Sequence, residues 1–274
     1  MGRIAELRRQ AQRRTSNLYD TWFTRRVSIY ITAVLHPLGV SANAVSGFGW
    51  FVAVAACSLI GLGSGWQVLA GVACVHLFAV LDSVDGELAR LRKTFSLKGL
   101  FLEDLCAYTM INGMFLALGG YLLHTMHEGW PLAVAVVIVA FGRNAMQVAR
   151  RAMLKSIATR RPVSAAPPGT APAQTGRGAV AKLRGFVEHH LLHFTNMWII
   201  TTTLILVEEL GGRHDLHLVL YAFCLFAAAV LLKELAAIAT FVFTGALEKQ
   251  CLEVYDQARI LPTEPVDGLD LAKD

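Results

Sequence analysis

Two aspartates, Asp82 and Asp85, stand three residues apart in the run LDSVDGELARLR, and a second acidic pair, Glu103 and Asp104, follows downstream. On a helix, a spacing of three puts both carboxylates on one face. Gly86 lets another backbone or a ligand approach closely, and Ala89, one turn beyond Asp85, keeps that face uncrowded. Oxygen-only ligands of this kind suit Mg²⁺ or Mn²⁺ rather than zinc. The plainer reading is that these charges reach a membrane surface and pair with Arg90 and Arg92. One aspartate alone would favour pairing; two at this spacing favour a metal.

The elements that must hold these residues are strongly apolar. The 274-residue chain is 55% hydrophobic and 16% charged, with a positive mean hydropathy, outside the usual range of a soluble domain. A span takes roughly 20 apolar residues, and six such segments can be read: residues 44–62, 66–90, 98–123, 130–153, 186–208 and 216–246. The expectation is an all-α, polytopic protein in a lipid bilayer. It would form one membrane domain over residues 1–249, then a polar tail over 250–274. A Pro/Ala/Gly/Thr-rich stretch, 155–182, reads as a flexible loop. Residues 1–26 lack the pattern of a cleaved signal peptide, and the cysteines lack paired spacing and read as packing residues.

Lys and Arg gather in the N-terminal segment, the 90–98 turn and the 150–184 loop, whereas the opposite turns hold only Arg213. By the positive-inside rule both termini are cytoplasmic, in what we read as the cytoplasmic membrane of a prokaryote. The net charge of +5 is mostly this topological signal, so nucleic acid is not an expected partner. Asp82 and Asp85 then fall in the last turns of the second span. Charge at membrane depth costs about 2.5–3.5 kcal/mol, so several together imply a partner or a polar cavity. Residues 14–36 are too polar at their start to span. With Trp22, Phe23 and Tyr30 beside Arg25 and Arg26, they suit an interfacial amphipathic helix. A plain membrane anchor is as good a reading of that segment.

At this point the residues resemble a family. The pattern D-x-x-D-G-x-x-A-R, eight residues, then G, is that of the CDP-alcohol phosphotransferases, and here it reads Asp82, Asp85, Gly86, Ala89, Arg90 and Gly99. Asn43 and Ser46 resemble the family's Asn-x-x-Thr at the start of the first span. The resemblance implies six spans, a homodimer and two divalent cations, Mg²⁺ or Mn²⁺. It also implies a CDP-linked lipid or alcohol donor whose phosphorus is attacked by an acceptor hydroxyl, with CMP leaving. Asp82 and Asp85 would ligate metal, and Asn43, Ser46, Gly86 and Ala89 would border the cytidine and its phosphates. Arg90 would be either a phosphate contact or an ion-pair partner.

The family pattern continues with two more aspartates, where this chain has Glu103 and Ala107. Glutamate can still ligate a metal; alanine can neither ligate nor act as the base expected there. Asp104 projects about 60° from position 107 on a helix, so Glu103 and Asp104 together are the expected metal-binding and catalytic replacements. In the fourth span, Arg143 and Arg150 suit an anionic acceptor such as a sugar or polyol phosphate. The positive-inside signal explains much of Arg150. His189 and His193, beside Glu188, have metal-binding spacing but read more readily as interfacial, and His76 reads as structural. Two functions follow: an active phosphotransferase of phospholipid synthesis, or an impaired relative that binds CDP-alcohols or serves as a membrane scaffold. A transporter is disfavoured, because no broken helices recur in matching halves.

Overall fold

A computed structural model describes residues 2–12, 19–94, 97–141 and 194–243. Among these the regular structure is helical, with no strand. The helices are α1 (Gly2–Ala11), α2 (Arg25–Leu35), α3 (Ala42–Leu62), α4 (Trp66–Arg92), α5 (Leu97–Met126), α6 (Trp130–Phe141), α7 (Phe194–Gly211) and α8 (Leu218–Phe243). A π-helical turn, Asp20–Thr24, leads into α2. One compact unit comprises Met1–Phe141 with Arg177–Val230; the other contributes only the latter half of α8 to the described residues.

Four helices are long and apolar enough to cross a membrane: Ala42–Leu62, Trp66–Arg92, Lys98–Met126 and Leu218–Phe241. The protein is therefore an integral membrane protein by the length and composition of its helices. The apolar run read at 130–153 is described only as α6, which is 12 residues long. The 155–182 loop and the 250–274 tail lie outside the described residues.

Local chemistry sets the helix limits. Ser41 caps α3 by accepting a 3.1 Å hydrogen bond from the Ala44 amide, one of the donors a helix start leaves unpaired. Lys93 ends α4 in the left-handed conformation, φ 53°. Paired residues then give the packing. Ser46 meets Asp85 and Gly71 meets Ile60, so α3 and α4 run antiparallel. Ser46 meets Cys106, Trp50 meets Thr109 and Gly61 meets Ala117, so α3 and α5 run parallel. The α3–α5 seam is made of small residues. A Cβ on Gly61 would lie 2.9 Å from the Ala117 Cα, and one on Gly120 would strike the Gly61 carbonyl. Such seams let backbones approach where lipid offers no hydrophobic drive for helix association.

The segment around α2 buries a polar stripe. Thr24, Ser28 and Thr32, four residues apart, are fully buried, while Trp22, Tyr30, Val34 and Leu38 are exposed. That reverses the pattern of a helix on a soluble protein. The stripe faces Glu87, itself 1% exposed. Ser28 Oγ donates to Glu87 Oε1 at 2.7 Å and Thr32 Oγ1 donates to Oε2 at 2.6 Å. Gln12 Nε2 donates to Oε1 as well, at 2.7 Å, and to the Arg25 carbonyl. A buried carboxylate is tolerable only with such donors. Glu87 therefore holds the N-terminal segment onto α4. At the other end of the bundle, buried Glu208 accepts from the Val219 amide at 3.0 Å and from the Tyr121 hydroxyl at 3.3 Å, capping the start of α8.

Candidate functional site

A cavity of about 880 Å³ lies where α3 and α5 begin and α4 ends. The helical repeat of α4 turns Asp82, Asp85, Gly86 and Ala89 onto one wall, and Arg90 joins them there. Asn43 and Ser46 reach the cavity from the first turns of α3, and Gly99 and Glu103 from α5. The eight residues of the DxxDGxxAR…G and Asn-x-x-Ser patterns are thus gathered in one place, together with Glu103.

Ser46 is buried and donates a 2.6 Å hydrogen bond to Asp85 Oδ2. The same hydroxyl lies 3.2 Å from the Ala42 carbonyl of its own helix, a longer contact that can only share the one hydrogen. Asp82 is open to the cavity, and the charges that act on it belong to Asp85, Glu103 and Asp20, all of its own sign. Such a group is electrostatically prepared for a cation. Gly86 admits a neighbour, as its type suggests, and within the chain that neighbour is Arg90. A Cβ at Gly86 would meet the guanidinium at 3.1 Å. Arg90 also donates through Nε to the Ala11 carbonyl, and Arg92 donates to the carbonyls of His36 and Gly39. These arginines tie α4 to the N-terminal segment.

On α5, Glu103 and Ala107 both line the cavity. Asp104 is exposed and absent from the lining, because one residue turns the helix by 100° and carries it off the face that Glu103 occupies. The structure therefore brings Glu103, but not Asp104, to Asp82 and Asp85. Arg143, Arg150, Glu188, His189 and His193 lie outside the described residues.

Several lining residues carry no motif. Tyr19, Asp20 and Arg25 of the N-terminal segment face the cavity, with His76 from α4. Tyr19 Oη lies 2.7 Å from His76 Nδ1, and Phe23 stacks on Tyr19 with ring centroids 5.3 Å apart. Burial, then the Asp20 charge, push the Tyr19 hydroxyl well above its ordinary value, so it stays protonated. The sequence held one signal for this group: Asp20 is the only acidic residue between Glu6 and Asp82.

Among the described residues, no three or more His, Cys, Asp or Glu side chains converge closely enough to hold a metal ion by themselves. The donor set nevertheless fits a hard divalent cation in its chemistry. Asp82, Asp85 and Glu103 offer only oxygen and share one cavity, and the charges of Asp85 and Glu103 both act against that of Asp82. Mg²⁺ in particular is ordinarily held by one or two carboxylates, with water and substrate phosphates completing its shell.

A family model described as CDP-alcohol phosphatidyltransferase matches residues 40–245. That interval contains every cavity residue named above except Tyr19, Asp20 and Arg25. No curated protein matches the chain.

Proposed function

The chain belongs to the CDP-alcohol phosphatidyltransferase family, a family of phosphotransferases that generally depend on divalent metal, and from that premise we propose a specific reaction. The protein moves a phosphatidyl group from CDP-diacylglycerol to an alcohol acceptor, with release of CMP, in phospholipid synthesis. The observation that carries this reading is the meeting of Asp82, Asp85 and Glu103 with Asn43 and Ser46 around one cavity.

The chemistry is an in-line displacement. The acceptor oxygen attacks the phosphorus that bears the lipid, the bond from that phosphorus to the bridging oxygen breaks, and CMP departs with the electron pair. Asn43, Ser46, Gly86 and Ala89 border the cytidine and its phosphates, and Arg90 adds positive charge to the same wall. The hydrogen bond from Ser46 holds Asp85 in one orientation. Mg²⁺ or Mn²⁺ held by Asp82, Asp85 and Glu103 would neutralise charge on the reacting phosphates. Val75, Phe78, Met110, Ile111 and Trp198 give the cavity an apolar side, which supports a lipid donor over a small CDP-alcohol.

In this reading Arg143 and Arg150 attract an anionic acceptor such as a polyol phosphate. The four long helices belong to a set of six spans, with the N-terminal segment at the interface. Both termini face the cytoplasm of a prokaryote, and the protein works as a homodimer. Ala107 on the cavity wall favours one competing reading, an impaired family member that binds CDP-alcohols without turning them over. The deciding experiment incubates purified protein with CDP-diacylglycerol, Mg²⁺ or Mn²⁺ and a panel of acceptors, and measures CMP. Release that depends on acceptor and metal supports transfer. Tight CMP binding with no release from any acceptor supports the binding protein.

A further inference from the structure

The position where the family pattern ends in a carboxylate is alanine here, yet Ala107 faces a cavity with two carboxylates beyond Asp82, Asp85 and Glu103: Asp20, and Glu87, which is already engaged by Gln12, Ser28 and Thr32. We propose that Asp20 takes the place of the missing aspartate, adding its negative charge to those of Asp82, Asp85 and Glu103 and accepting the proton of the attacking hydroxyl. This inference rests on the proposed phosphotransferase reading.

Three observations support it. Asp20 lines the same cavity as Asp82, Asp85, Glu103 and Ala107, and its charge is among the three that act on Asp82. It is also held in place. Thr24, fully buried, donates to Asp20 Oδ1 at 3.1 Å, which fixes one carboxylate oxygen and leaves Oδ2 without a hydrogen bond in that pair. The adjacent Tyr19 is bonded to His76 on α4, and the segment beyond is clamped by Glu87 through Ser28 and Thr32. Finally, Asp20 opens a π-helical turn, Asp20–Thr24, an irregularity that is rare in helices and gathers at functional sites. A carboxylate anchored on one oxygen, in the cavity that Asp82, Asp85 and Glu103 also line, is a general base in form.

The step balances without a further reactant. As the acceptor oxygen bonds to phosphorus, its proton passes to Asp20 Oδ2. The phosphorus–oxygen bond to CMP breaks with its electrons going to CMP, and Asp20 then returns the proton to water. Tyr19 and Thr24 are positioning residues for this step and touch no reacting atom.

Asp20→Asn tests the assignment, because asparagine still accepts from Thr24 while losing charge and basicity. Acceptor-dependent CMP release should fall about 10²–10⁴-fold, the usual contribution of general-base catalysis, with CMP affinity unchanged. Without substrate, Mn²⁺ affinity measured by electron paramagnetic resonance should fall several-fold, since one of the negative charges around the cation is gone. Adding Ala107→Asp to Asp20→Asn should restore much of the turnover by returning a carboxylate to the α5 side. Turnover within threefold of wild type, unchanged Mn²⁺ affinity, or a loss that Ala107→Asp fails to repair each overturns the proposal. If the wild-type chain itself releases no CMP, the phosphotransferase reading fails. The Mn²⁺ titration then decides on Asp20 alone.

Discussion

Ser46, in the second turn of α3, donates a 2.6 Å hydrogen bond to Oδ2 of Asp85, near the end of antiparallel α4. The residues are 39 positions apart in sequence, so this contact joins two helices at the point where the cavity begins. A hydrogen bond to a charged group contributes about 1.5–3 kcal/mol. Ser46→Ala should accordingly weaken Mn²⁺ binding or turnover by about tenfold or more, and Ser46→Thr, which keeps the hydroxyl, should recover most of that. Equal Mn²⁺ titrations and CMP release for wild type and Ser46→Ala would remove this contact from the mechanism.

Asp82 and Asp85 carry the proposed cation. Asp82→Asn and Asp85→Asn should each abolish metal-dependent CMP release and weaken divalent-cation binding, while leaving the purified protein folded in detergent. Full activity in both variants would rule out the site.

Glu103 and Asp104 are neighbours with different surroundings. Glu103 lines the cavity and Asp104 does not, so Glu103→Gln should lower metal affinity and turnover together. Asp104→Asn should stay within a few-fold of wild type in both. A loss of 10²-fold or more for Asp104→Asn, with Glu103→Gln mild, would reverse the assignment of the two side chains.

Glu87 lies in the same acidic run but should behave as a structural residue. Glu87→Ala leaves Gln12, Ser28 and Thr32 without their acceptor. An unsatisfied buried donor costs about 1–3 kcal/mol, so a marked fall in thermal stability is expected, read by unfolding in detergent. Glu87→Gln keeps one acceptor oxygen and should be intermediate. A Glu87→Ala protein as stable as wild type would show that the clamp does not hold the segment.

The sequence was informative where periodicity or a fixed spacing carried the signal. The apolar runs read at 44–62, 66–90 and 98–123 correspond to α3, α4 and α5, which extend to Ala42–Leu62, Trp66–Arg92 and Leu97–Met126. The extensions add one to three residues at an end, among them Asn43, Arg92, His124 and Thr125, where backbone hydrogen bonding continues past the apolar run. The patterned residues met because i, i+3 and i+4 spacing keeps a motif on one helix face. Glu87 was legible only as one more charge, because its partners come from Gln12, Ser28 and Thr32, far back in the chain. Asp20 was harder still: nothing in a single aspartate among aromatic and basic residues tells which wall it will face. Asp104 was misleading because angular nearness on a helical wheel says nothing of what lies opposite.

The small-residue seam between α3 and α5 has a mechanical consequence. With Gly61 against Ala117, Gly120 against Gly61 and Gly113 against Cys57, the two parallel backbones are locked along their far halves. They pack as one strut. Asn43 and Glu103 are carried at the near ends of that strut, so the cavity positions of the two helices are set by one shared seam. The N-terminal segment is fastened differently, by side-chain hydrogen bonds at Glu87 and His76 rather than by interlocked backbones.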